Sequence, residues 1–171
     1  MARQLWLLRH GDAEPHGTRA DAQRRLTARG ERQSHAAGIA LARLAVPFDV
    51  VLFSPKERAR QTAELAAASW SAQQRAALRE HSPLAVGFDV RGALDALARI
   101  PADAGHLLLI GHEPDLSGVV GELTGSRIDL KKGGLAMVRL EGAGRELVGE
   151  LGLLLRPREL ALIAGTPVDR D

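Results

Sequence analysis

Three short apolar runs limit what this chain can fold into. Gln4–Leu8, Phe48–Phe53 and His106–Ile110 each read as a buried strand, and longer Ala/Leu/Arg-rich stretches separate them. Thr27 reads as the N-cap of a helix over Ala28–Ala45, with Ala37, Leu41 and Leu44 on one face, and Pro47 ends it. Ser54-Pro55-Lys56-Glu57 has the form of a capping box with proline at the first helical position, opening a helix to about Ser69. The stretch 70–87 carries a weaker signal, with a short strand near Leu78. A helix follows over Asp89–Arg99, and another opens at Pro114 and ends near Gly125. Leu135–Leu140 and Glu146–Leu155 read as two strands around a Gly142–Gly144 turn. The alternation predicts an α/β three-layer sandwich. Its central sheet is mainly parallel with at least one antiparallel strand, and helices cover both faces. Residues from about Arg158 onward read as a loosely attached tail, so the domain is expected over 1–157 and the tail over 158–171.

Composition narrows the function classes. A chain of 171 residues suits one domain with a real core, and 45% apolar and 26% charged residues are ordinary for a globular protein. There is no cysteine, hence no disulfide framework and no thiolate site. No apolar run approaches the ~20 residues needed to cross a bilayer. The N-terminus lacks the basic, apolar, small-residue order of a secretion signal, and the expected location is the cytoplasm. The net charge is +2, the basic residues are interleaved with acids, and aromatics are 3% with no tyrosine. Nucleic acid is therefore not an expected partner.

Chemistry is signalled where the strands end. In an open α/β sheet, ligands bind beyond the carboxyl ends of the strands. The first strand runs into Arg9-His10-Gly11. The second runs into Ser54-Pro55-Lys56-Glu57-Arg58, with Arg58 in the first turn of the next helix. The third runs into Gly111-His112-Glu113-Pro114. Each has a plainer reading alone: Arg9 paired with Asp12, His10 as a hydrogen-bonded structural residue, Arg58 paired with Glu57 or Thr62 on a helix surface, His112 as a cap. Two arginines and two histidines converging beyond parallel strands instead suit an anion, and a phosphate dianion matches the forked donors of arginine.

Four stretches in order carry a resemblance to a known family. "LRHGDAEP" matches an Arg-His-Gly opening. "DAQRRLTARGERQ" resembles an Asp-x-x-Arg-Pro-Leu-Thr-x-x-Gly element, with Arg25 where proline is usual. "SPKERARQTAE" matches Ser-Pro-x-x-Arg-Ala-x-Gln-Thr, and "LLLIGHEPDLSGVVGELTG" matches Gly-His-x-Pro. The chain resembles the histidine phosphatase superfamily, with its phosphoglycerate-mutase-like fold, over roughly Leu5 to Leu155. Within that superfamily it looks most like the small phosphohistidine phosphatase branch, the SixA type.

The resemblance implies a mechanism. His10 is the nucleophile that carries a transient phosphoryl group, and Gly11 lets the backbone turn beside the phosphate. Arg9, Arg58 and His112 bind the phosphate, and water then releases it. Arg and His supply the positive charge, so neither metal nor cofactor is expected. Arg24, with its neighbour Asp21, is given a lesser phosphate or substrate contact, against the plainer reading of a loop salt bridge. Glu80 is the nearest candidate for a general acid, with Asp12, Glu14 and Glu113 as rivals. The expected partner is a phosphorylated substrate, foremost a phosphohistidine protein, with small phosphorylated metabolites as the alternative. "LKKGGLAMVRL" (Leu130–Leu140) is read as a plain turn with solvated lysines before a strand, rather than a basic rim.

Overall fold

The computed structural model describes residues 3–101, 105–142 and 147–169. Strands β1 (Arg3–Arg9), β2 (Val50–Phe53), β3 (Leu78–Glu80), β4 (His106–Gly111), β5 (Leu135–Glu141) and β6 (Val148–Leu155) form one sheet in the order β3-β2-β4-β1-β5-β6. The first four pair in parallel, and β5 and β6 add the antiparallel pairings. The expected sandwich is thus observed.

The period of two along a strand explains the layers. On β1, Trp6 and Leu8 face a core shared with helices α1 (Ala28–Arg43) and α2 (Glu57–Ala67). Leu5 and Leu7 face the other core, with helices α4 (Val90–Ala98) and α5 (Asp115–Thr124). All four side chains are buried, which is why this strand reads as a continuous apolar run rather than an alternating one. Each large side chain taken out of water contributes roughly 1.5–3 kcal/mol, so β1 and β4 anchor both cores.

The helix boundaries show where local signals held. Thr27 caps α1, its hydroxyl accepting the Gly30 N–H at 3.1 Å. That helix ends at Arg43, two residues before the expected Ala45, where φ is positive at 52°. A short helix, α3 (Ala72–Ala76), lies in the ambiguous stretch and is opened by a capping box between Ser71 and Gln74. Of the Gly142–Gly144 turn, only Gly142 is among the described residues, and Glu146 also lies outside them.

Two expectations need correction. Ser54 does not cap the second helix, because α2 starts at Glu57 with Lys56 as its N-cap. Nor is the segment after Arg156 loose over its whole length. Helix α6 (Pro157–Ala164) buries Leu160, Ala161 and Ala164 in the α1-side core. Its start is specified locally: Pro157 sits in the first turn, and the Glu159 carboxylate accepts the Arg156 backbone N–H at 2.7 Å. Among the described residues no helix is long and apolar enough to cross a membrane.

Candidate active site

Register brings the strand-end residues together. Arg9 lies opposite Gly111 in the parallel β1–β4 pair, so His10 and His112 leave adjacent strands side by side. Their ring centroids are 5.1 Å apart. Strand β2 flanks β4, and the Ser54 N–H donates to the Ile110 carbonyl at 3.0 Å. This places the first turn of α2, with Arg58, against the same spot. A cavity of about 480 Å3 opens there, and Arg9, His10, Arg24, Arg58 and His112 all line it.

The hydrogen bonds of His10 define its chemistry. Its Nδ1 lies 2.7 Å from the Gly11 carbonyl, which can only accept. Its Nε2 lies 3.2 Å from the Nε–H of Arg58, which can only donate. Both partners therefore select one tautomer, with the proton on Nδ1 and the lone pair on Nε2. Burial pulls the His10 pKa down to about 3; the Gly11 carbonyl opposes this, while His112, Arg58 and Arg9 reinforce it. His112 is likewise pulled to about 3, by burial and then by Arg58 and Lys56. Burial thus favours the neutral form of both imidazoles in the absence of an anion, and the cations that line the cavity are Arg9, Arg24, Arg58 and Lys132.

Those arginines are held from behind. Arg58 Nη1 donates to the Asp21 carbonyl at 2.7 Å, and its Nη2 lies 3.4 Å from the Asp21 carboxylate. Arg24 is buried and gives hydrogen bonds to the Glu14 carbonyl and to Asp21, at 2.8 and 2.9 Å. Lys56 completes the group at 2.8 Å from Asp21. The hydrogen bond from Lys56 holds the Asp21 carboxyl far below the usual carboxylate range; burial opposes it, and Arg24 and Arg58 add to it. Arg24 thus lines the cavity and also makes the loop salt bridge weighed against that role. Arg9 Nη1 donates to the Leu130 carbonyl at 3.0 Å. Arg9 Nε and His112 Nδ1 are buried polar atoms with no partner among the described residues, and an anion in the cavity suits both.

Gly11 is required by packing. A Cβ there would fall 2.5 Å from the Gly30 carbonyl oxygen, and one on Gly30 would fall 1.9 Å from that of Asp12. The first turn of α1 therefore presses directly on the backbone after His10. The Gly11 N–H donates to the Thr62 hydroxyl at 3.1 Å, and that hydroxyl donates to the Arg58 carbonyl at 2.7 Å.

Several residues with work at the site were missed. Ser54 Oγ sits 2.7 Å from His112 Nε2 and accepts the Lys56 N–H, so its hydroxyl orients an imidazole instead of capping a helix. Gln61 lies in a recognised motif but had no role until the structure placed it on Leu26, and Thr62, weighed only as a partner of Arg58, also meets Gly11. The reading of "LKKGG" as a turn with solvated lysines holds in that both lysines are exposed beside a turn, but it leaves out contacts at the site. Lys132 lines the cavity and binds Asp12 at 2.8 Å, and the Gly133 N–H donates to the carbonyls of both Arg9 and His10.

Each of the four candidate carboxylates has a hydrogen-bond or ion-pair partner, and Asp12 and Glu113 line the cavity. Glu80 does not line the cavity; it is half exposed and lies 3.4 Å from Arg60. Asp12 lines it, but its two oxygens accept from Lys132 and Thr27. Burial raises the Asp12 pKa, and those two hydrogen bonds overcome that and leave it lowered. Glu113 accepts from the Ser117 N–H and hydroxyl, and Glu14 from Arg19 and the Arg25 N–H. Among the described residues no group of three or more His, Asp or Glu side chains is placed to hold a metal ion.

Comparison with known proteins identifies the family. The pattern of the histidine phosphatase superfamily (branch 1) matches residues 5–85. An uncharacterised protein of Picosynechococcus sp. is 36% identical over 92% of this chain and 98% of its own. A structure from Nakamurella multipartitia, assigned as the phosphohistidine phosphatase SixA, is 30% identical and superposes with a TM-score of 0.76 over 92% of this chain and 97% of that one. The protein histidine phosphatase SixA complexed with tungstate gives 26% identity and a TM-score of 0.77 over 92% and 99%. With sequence and fold in accord along nearly its whole length, the chain belongs to the histidine phosphatase superfamily, on its SixA-type branch, and is a phosphatase.

Proposed function

We propose that the protein hydrolyses phosphohistidine on other proteins through a covalent phosphoryl intermediate on His10. The observation that supports this reading is the pair of contacts that puts the His10 proton on Nδ1 and leaves Nε2 as an acceptor, on a residue that lines a cavity with Arg9, Arg24 and Arg58.

The first step forms a bond from His10 Nε2 to phosphorus. The phosphorus–nitrogen bond of the substrate breaks, and its electron pair leaves with the substrate imidazole, which takes a proton from water. Arg9 and Arg58 neutralise the equatorial oxygens, where transferred charge gathers. As positive charge builds on His10, the Gly11 carbonyl stabilises its Nδ1–H. Water then attacks phosphorus, the Nε2–phosphorus bond breaks, and its electron pair returns to His10. The water proton is lost to solvent or to the departing phosphate. Arginine charge suffices in this scheme, so it invokes no metal.

The carboxylates favour a phosphoramidate over a phosphate monoester. An alkoxide leaving group gains roughly 10²–10⁴-fold from a positioned acid. Here Asp12 and Glu113 are tied up, and Glu80 stands away from the cavity. An imidazole that takes its proton from solvent leaves as the neutral molecule and needs no positioned acid.

Rapid quenching with labelled phosphohistidine protein tests the reading. Label is expected on His10, turnover should vanish in His10→Ala, and sugar phosphates should be poor substrates. Turnover with no label on His10 overturns the intermediate. A clear preference for alkyl monoesters overturns the substrate assignment.

A further inference from the structure

Beside the catalytic cavity lies a second concavity of about 730 Å3. Its walls come from the first half of α1, the 131–132 turn, and α6 with the chain that follows it. Seven Lys and Arg side chains and three carboxylates line it, a local excess larger than the +2 of the whole chain. Apart from Arg9, these cations are Arg29, Arg32, Lys131, Lys132, Arg156 and Arg158, and all six are exposed. The carboxylates are already engaged: Asp12 by Lys132, Asp169 by Arg32, and Glu159 by the Arg156 backbone N–H. A concave wall with one dominant sign focuses its field outward and attracts the opposite charge.

The groove is joined to the chemistry. It shares Arg9, Asp12 and Lys132 with the catalytic cavity, so whatever it holds lies beside the phosphoryl group. Its cations are spread over three chain segments instead of enclosing one point. That spacing suits several carboxylates along an extended chain. Apolar surface from Ala161 and Val168 lies between the charges, as a peptide backbone with mixed side chains would require.

We infer that this groove receives an acidic segment flanking the phosphohistidine of the protein substrate. The inference rests on the phosphohistidine chemistry proposed above and adds the rule by which one phosphoprotein is preferred over another.

Three probes separate the two ideas: phosphoramidate, a phosphohistidine peptide flanked by Glu, and the same peptide flanked by Gln. They are compared on the wild type and on the double variant Arg156→Glu, Arg158→Glu. Both substitutions fall at the start of α6, where added acids favour the helix, so folding is expected to be retained. At low salt the wild type should favour the Glu peptide by about tenfold in kcat/KM, mainly through KM, the scale of two exposed ion pairs. High salt should erode the preference. The variant should lose the preference and still hydrolyse phosphoramidate at the wild-type rate. Equal turnover of the two peptides, or a preference that survives in the variant, overturns the inference while leaving the phosphatase chemistry standing. So does short-chain polyphosphate that inhibits phosphoramidate hydrolysis in the wild type but not in the variant, if the two peptides are turned over equally; the groove then belongs to a small polyanion. Failure to turn over any of the three probes overturns the chemistry itself, and this inference with it.

Discussion

The Nε–H of Arg58 donates to Nε2 of His10 across 3.2 Å, while the rest of the Arg58 guanidinium is held by Asp21. One planar group thus selects the imidazole tautomer and waits at the edge of the cavity. In the proposed mechanism phosphorus takes the place of that donor at Nε2, with the guanidinium already beside the equatorial oxygens.

Arg58→Lys removes this fork while keeping one charge. A lysine cannot donate to His10 and to Asp21 in the same plane. The kcat on phosphoramidate should fall by roughly 10²–10³-fold, as when one oxyanion donor is lost, with little change in thermal stability. Steady-state kinetics beside a melting curve measure both.

Asp21→Asn tests the support behind the arginines. The backbone carbonyl that receives Arg58 Nη1 remains, so Arg58 stays in place, while the charge that balances Lys56 and Arg24 is lost. A fall in kcat/KM of about tenfold is expected, well short of abolition, in keeping with loss of contacts worth ~1–2 kcal/mol. A loss as deep as that of His10→Ala would place Asp21 in direct contact with the reacting group.

Glu80→Gln should leave kcat on phosphohistidine within a factor of about two, since this carboxylate does not line the cavity and an exposed ion pair contributes little. A large loss would make Glu80 the general acid after all.

Gly11→Ala should be costly to stability. Its Cβ would meet the Gly30 backbone, which has no flexible end to move aside. Overpacking of this kind costs typically ~1–3 kcal/mol. Urea midpoints should fall accordingly, and an unchanged midpoint would show that α1 can shift.

Acid should weaken the fold through its histidines. His10 and His112 are pulled to about 3 in the folded chain, whereas an unfolded histidine titrates near ~6.5. Between those values the unfolded chain binds more protons, so stability rises with pH up to about 6.5 and levels off above it. His81, lowered by burial and by Arg99, acts in the same direction. Asp21 acts in a separate window, because a carboxylate held low loses its contribution only as pH falls below its unfolded value of ~3.9. Urea midpoints followed from about pH 4.5 to 7 should therefore climb and then flatten. Replacing His10 and His112 together with Asn should remove most of the climb.

The sequence was most legible where a strand met its polar end. Arg9, His10, Arg58 and His112 are brought to one cavity because β1, β2 and β4 are parallel neighbours, and that arrangement follows from three apolar runs separated by helices. Ser54 was misread because a serine before Pro-Lys-Glu satisfies a capping pattern, and only the fold shows that His112 lies within its reach. Helix α6 was missed even though Pro157 and Glu159 mark its start; position near the chain end outweighed that signal. The lowered pKa of both imidazoles is not legible in the sequence, since it comes from burial first and then from charges drawn from separate segments. The accepting roles of Asp12 and Glu113 depend on Lys132 and Ser117, and no spacing rule joins Asp12 to Lys132.

The contact of Gly11 with Gly30, closed from the other side by the Thr62 hydroxyl, has a practical corollary. Two helices and the backbone that follows His10 are clasped at one point, so the imidazole proposed as nucleophile cannot drift out of aim while α1 and α2 stay seated. Heating should then silence catalysis and melt the molecule over the same few degrees. The activity surviving a heat pulse would count the fraction of chains still intact.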